Sequence, residues 1–200
     1  MILQAAILLA GLSVTASGST CCPPVRFSAV QSVTIVNYTF AKAALYSFIY
    51  DGINQRYVIS GDLSDGFVST TKVIYDYPNK TGYRVDTVAR TCTAFHLQGK
   101  FEDQESVCVP SGAVFLGPFF YGYGVGRLAS KGYSYNRTTV NGEHQNVVTT
   151  VTRKDCIPIV ITTTTIGGHG GNALETLGYN DVRPGITDFT VFDIPPYCTV

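Results

Sequence analysis

The residues of this 200-residue chain that could do chemistry are three histidines, six cysteines and a scatter of carboxylates. His96 stands in a β-patterned run, His144 in a polar turn, and His169 between two glycine pairs. A catalytic base or metal ligand is normally held rigidly, so His169 reads first as an exposed loop tip and only second as a proton shuttle. Asp62 and Asp65 are a carboxylate pair of the kind used in acid–base work, yet two carboxylates so close in a turn are more often solvated. Together with Asp51 and Asn54 they offer hard oxygen atoms without the spacing of a calcium loop. Neither a Gly-x-Ser-x-Gly elbow nor a His-Glu-x-x-His pair occurs, and Gly122, Gly124 and Gly126 lack the spacing of a dinucleotide loop. The chain therefore reads as a non-enzyme, and a secreted hydrolase without a recognisable motif ranks third among its readings.

The cysteines carry the stronger signal. Residues 1–18 hold no charge, and an apolar run from Ala5 to Leu12 is followed by small residues, the pattern of a secretory signal peptide. Residues 19–200 then form one domain. Three N-glycosylation sequons, at Asn37, Asn79 and Asn136, agree with passage through an oxidising compartment. There Cys21, Cys22, Cys92, Cys108, Cys156 and Cys198 pair as three disulfides, with about fifteen pairings open from sequence alone. A bond between the neighbours Cys21 and Cys22 would strain the peptide, so each leaves for a different partner. The fourteen basic residues are balanced by fourteen acidic ones and are not clustered, which gives no footprint for nucleic acid. No stretch after the leader has the length and apolarity of a transmembrane helix.

The elements that must hold these residues are strands. Residues 147–166 read VVTTVTRKDCIPIVITTTTI, in which fifteen of twenty residues are Val, Ile or Thr, the branched types that suit a pleated backbone. They predict a central strand pair meeting at a polar corner, with Pro158 at an edge, bulge or bend and Cys156 as the anchor. Asp51-Gly52 between two aromatic runs predicts a tight hairpin, and Pro78-Asn79-Lys80-Thr81-Gly82 predicts another. Residues 98–106 read as a loop, residues 172–177 as one helical turn, and residues 188–193 as a last strand. The fold class is all-β, mainly antiparallel, as two stacked sheets.

Three segments resemble the ependymin-related proteins: Tyr50-Asp51-Gly52-Ile53-Asn54-Gln55-Arg56, then Lys154-Asp155-Cys156-Ile157-Pro158, then residues 192–198. They come in that family's order and with about its spacing. The resemblance implies a secreted or lysosomal glycoprotein whose two stacked antiparallel sheets are similar to bacterial lipoprotein carriers and enclose an apolar pocket. It also implies calcium, cell-matrix contact and a homodimer. Its disulfides would join Cys92 to Cys198 and one of Cys21 or Cys22 to Cys156. The family cysteine expected between Phe67 and Tyr77 is missing here, while Cys22 and Cys108 look extra to the pattern.

Strands carrying Phe48, Tyr50, Phe67, Phe95, Phe119 and Phe120 could line a cavity for a lipid or other hydrophobic small molecule, or the same rings could fill a closed core. The expectation is a secreted protein that binds a hydrophobic or amphiphilic ligand. The alternative is a structural, adhesive matrix glycoprotein without a ligand pocket.

Overall fold

The computed structural model describes residues 21–61, 70–104, 107–168 and 171–198. The expected signal peptide, Asp62, Asp65, Phe67 and His169 lie outside them. Eleven strands are present among the described residues: β1 Arg26–Asn37, β2 Ala41–Asp51, β3 Arg56–Ser60, β4 Thr71–Asp76, β5 Thr81–Asp86, β6 Thr91–His96, β7 Val114–Tyr121, β8 Leu128–Thr138, β9 His144–Thr152, β10 Pro158–Gly168 and β11 Gly171–Pro184.

The all-β antiparallel class holds, but the two expected sheets are halves of one. The strand order is β6-β5-β4-β3-β2-β1-β11-β10-β9-β8-β7. Each half is a meander, and β1 joins them by pairing with β2 on one side and β11 on the other. The Val/Ile/Thr-rich pair β9–β10 therefore sits inside the second half, and β1 and β11 take the middle. Pro158 opens β10 at a register shift, where its missing N–H is tolerated. Residues 172–177 belong to β11, because a segment paired on both flanks satisfies all its backbone groups as strand. Residues 188–193 instead enclose a 3-10 turn, Phe189–Phe192, whose start is set by Asp188 Oδ1 accepting from the Thr190 N–H at 2.9 Å. The loop expected over residues 98–106 contains the helical turn Phe101–Gln104.

Four hairpins share one turn design. Residues 52–55, 77–80, 87–90 and 153–156 each end on a residue of positive φ: Gln55 at 49°, Lys80 at 53°, Arg90 at 51° and Cys156 at 54°. The residue before the turn accepts the backbone hydrogen bond that closes it. Asp51 Oδ1 accepts from Asn54, Asp76 Oδ1 from Asn79 and Asp86 Oδ1 from Ala89, while Thr152 Oγ1 accepts from Ile157. In the hairpin expected at Asp51-Gly52 the positive φ thus falls on Gln55. Gly52 is needed for another reason: a Cβ there would lie 2.9 Å from Tyr50 Cε1 and 3.1 Å from the Val25 carbonyl oxygen.

Alternation along the strands divides the side chains between two faces. The face carrying Phe27, called inner here, holds a ring cluster of Phe27, Phe48, Tyr50, Tyr57, Tyr77 and Tyr179, covered by Leu97, Phe101 and Val107. On the outer face of the first half, Val58, Ile74, Tyr83 and Val85 are covered by Phe192 of the C-terminal segment. The disulfides are Cys21–Cys156, Cys22–Cys108 and Cys92–Cys198. The first ties the N-terminal arm to the second half, the second ties it to the segment between β6 and β7, and the third ties the C-terminal segment to β6.

Candidate functional site: the inner face of the sheet

The pairing register decides which side chains share the inner face of the second half. One row crosses β1, β11, β10, β9 and β8 as Val33, Leu177, Ile161, Thr149 and Tyr133. The next runs Ile35, Glu175, Thr163, Val147 and Tyr135, and the last, at the rim, Ala173, Thr165, Gln145 and Arg137. Polarity therefore rises in one direction. Ile161 and Leu177 pack against the ring cluster, whereas the rim is a hydrogen-bonded line. Arg137 Nε donates to Gln145 Oε1 at 2.7 Å, and Gln145 Nε2 donates to Thr165 Oγ1 at 3.1 Å.

Between ring cluster and rim, charge is held at a cost. Burial pushes the Glu175 carboxyl above the usual carboxylate range, and Arg137 only partly offsets it. Burial likewise raises the Tyr135 phenol against the pull of Arg137. Arg137 on β8 and Glu175 on β11 face the same side of the sheet, with two strands between them. A carboxyl biased toward its neutral form, a phenol and a guanidinium beside an apolar row can donate hydrogen bonds to a polar group while the row takes a chain. At the rim end of the sheet a cleft of about 430 Å3 is lined mainly by the outer-face residues Asn136, Thr138, His144, Asn146 and Ile166, with Arg137 and Gln145 beside them. A second recess, of about 220 Å3, opens beside Cys22–Cys108 and is lined by Pro24, Tyr50, Phe101 and Val107.

The residues expected to line a pocket are not all together. Phe48 and Tyr50 are buried in the ring cluster and Phe95 packs against it, with its ring meeting Tyr75 at 5.9 Å between centroids. Phe119 and Phe120 do not join them. They lie on β7, the opposite edge of the sheet, and are exposed. Adjacent strand residues also point to opposite faces: Phe119 pairs with Ser130, and Phe120 with Ala129. Sequence reasoning missed Tyr135, Arg137, Gln145 and Glu175; the inward alternation of Tyr133, Tyr135 and Arg137 along β8 was the available signal.

The remaining expected sites are dispersed. Asn79 and Asn136 are exposed, the first in a turn and the second on β8, and Asn37 closes β1 with its Oδ1 accepting from Thr39 and Phe40. His96 ends β6, and His144 Nδ1 lies 3.4 Å from Thr138 Oγ1. Among the described residues no three His, Cys, Asp or Glu side chains gather to hold a metal ion, and no helix is long and apolar enough to cross a membrane.

Residues 68–198 match the family model Ependymin. The chain is 61% identical over 199 residues to Ependymin-related protein 1 of Haliotis asinina, covering 99% of each chain. It is 52% identical over 199 residues to Ependymin-related protein 2 of the same organism, again covering 99% of each. Among solved structures it is loosely similar to a LolA superfamily protein from Nitrosomonas europaea, at TM-score 0.41 and 10% identity over 86% of this chain and 91% of that one. A DUF1329 family protein from Desulfovibrio piger gives TM-score 0.43 and 8% identity, covering 85% of this chain and 90% of that one.

Proposed function

This chain belongs to the ependymin family, and from that premise we propose that it is a secreted, non-enzymatic glycoprotein that binds a lipid-like amphiphile on the inner face of its sheet. The observation that carries the reading is the gradient across that face. Ile161 and Leu177 offer a surface for an apolar chain; Glu175, Tyr135 and the Arg137–Gln145–Thr165 line offer donors to a headgroup. Secretion is supported by the three disulfides, which persist only in an oxidising compartment. Asn79 and Asn136 stand where a glycan can reach solvent, and Asn37 is proposed as the third site.

Native mass spectrometry and lipid extraction of protein purified from its natural source test the reading. A co-purifying amphiphile is expected, with occupancy reduced in recombinant R137A and E175A chains offered the same lipid. Protein that carries nothing and takes up no lipid leaves the second reading, a matrix-adhesive glycoprotein. That reading has its own support: the rings around Phe48 are buried against one another beneath Leu97, Phe101 and Val107, as in a filled core. Calcium, matrix contact and dimerisation belong to this proposal only as expectations of the family.

A further inference from the structure

β7 is an edge strand, so one side of its backbone has no ladder partner among the described residues. Natural edges are usually blunted by charge, yet Phe115, Phe119, Phe120 and Tyr121 are exposed along this one. Beyond it the chain turns through residues 122–127, where Tyr123 and Val125 are 99% and 109% exposed. Two such side chains at a hairpin tip do nothing for the core, and adjoining Phe120 they extend the apolar surface to the end of the sheet.

That tip has a cationic fringe. The β9–β10 turn lies against it, with the Arg153 N–H donating to the Ala129 carbonyl at 2.9 Å. The guanidinium groups of Arg127 and Arg153 stand 4.2 and 5.4 Å from the Phe120 ring centroid. Lys154 is exposed in the same turn, and Asp155 is the carboxylate of these two loops. Exposed aromatic and aliphatic side chains ringed by Arg and Lys are the composition that lies at a lipid–water boundary: rings enter the headgroup layer and cations meet anionic headgroups.

We propose that this end of the sheet docks on an anionic lipid surface, with Tyr123 and Val125 entering the headgroup boundary and Arg127, Arg153 and Lys154 pairing with its charge. A second copy is the weaker fit. Antiparallel pairing of β7 with its own copy would have to pass the bulge between Phe115 and Gly117, and would leave both tips outside the interface. The proposal goes beyond the inner-face reading and does not depend on it.

The chain contains no tryptophan, so V125W is a clean reporter. With its disulfides formed, the V125W chain is mixed with phosphatidylcholine vesicles, with or without phosphatidylserine, at low and high salt. Expected are a blue shift and co-sedimentation with the phosphatidylserine vesicles only, weakened by salt. R127E/K154E should bind roughly tenfold or more weakly, and Y123S/V125S should lose vesicle binding, both with unchanged melting. Amphiphile occupancy in R127E/K154E should match wild type, which separates this surface from the inner face. No association with phosphatidylserine vesicles, equal association with both vesicle types, or indifference to both variant pairs overturns the proposal. A chain that is dimeric, becomes monomeric with Y123S/V125S and ignores vesicles also overturns it, and assigns the tip to a second copy.

Discussion

Asp51 is the residue on which the first half is pinned. It is fully buried, and its carboxylate accepts from Arg26 Nε at 2.9 Å, Arg56 Nε at 3.3 Å and Asn54 Nδ2 at 2.6 Å. Each arginine is faced by a ring of the C-terminal segment: Phe189 lies 5.2 Å from Arg26 and Phe192 lies 4.1 Å from Arg56. Burial alone would raise the Asp51 carboxyl, but the bonds from Arg26, Asn54 and Arg56 together outweigh it and hold the group below its ordinary value of 3.8. The linkage follows from that sign. A depressed carboxyl stabilises the fold fully above 3.8, and the contribution is lost as pH falls through the lower folded value. Asp51→Asn should cost about 3 kcal/mol at neutral pH, since it leaves two arginines facing an uncharged group, and the cost should shrink in acid. Urea melts of both proteins along a descending pH series check this; a gap that stays constant into acid would remove Asp51 from the account. Within the motif YDGINQR the hairpin was legible because Asp-Gly between aromatic runs is a local signal. The ion centre was not, because Phe189 and Phe192 arrive from the far end of the chain.

At the scale of elements, the C-terminal segment behaves as a strap over the outer face of β3 to β6. Phe192 is buried among Val58, Ile74, Tyr83 and Val85, Cys198 is bonded to Cys92, and Lys72 Nζ donates to the Val191 carbonyl at 3.1 Å. Burial lowers the Lys72 ammonium and Asp193 partly restores it, and Nζ also donates to the Asp193 carbonyl at 3.5 Å. Removing the Phe192 ring should cost about 3–5 kcal/mol, as large-to-small changes of a buried ring do. Phe192→Ala should also raise amide exchange in β3 to β6 while leaving β8 to β10 protected. Uniform acceleration along the chain would mean that the strap is not a local element. The sequence suggested a strand here, since alternating Phe189, Val191 and apolar neighbours imitate one; Asp188 capping the Thr190 N–H is what turns the segment into 3-10 geometry. The same competition explains residues 172–177, whose helical look yielded to ladders on both sides. Strand identity was legible wherever branched residues run long, as in β9 and β10. Strand position was not, because β1 and β11 meet from opposite ends of the chain.

For the whole molecule, the question is what keeps a single eleven-stranded sheet from behaving as two meanders. The β1–β11 ladder is one answer, and it is antiparallel over most of both strands. The N-terminal arm is the other. Cys21 is bonded to Cys156 in the β9–β10 turn and bridges to Val109, while Cys22 is bonded to Cys108, so the segment that enters β1 is clamped covalently to the second half and to the segment between β6 and β7. Neighbouring cysteines that leave for different partners act as a two-point clamp, which a single bridge could not provide. The three bonds span sequence separations of 135, 86 and 106 residues, so each restricts the unfolded chain strongly. At about 2–5 kcal/mol each they are large against the usual total stability of about 5–15 kcal/mol. Losing one bridge should therefore lower Tm by roughly 4–20 °C. The two kinds of bridge should differ in where the loss appears. C21S/C156S should expose β9 and β10 to exchange first, and C92S/C198S should expose β5 and β6, because each pair releases a different half. Calorimetry with and without dithiothreitol, followed by exchange on the two double variants, decides the matter. Identical melting in both buffers would show that the ladder alone holds the halves together and that the clamp is dispensable.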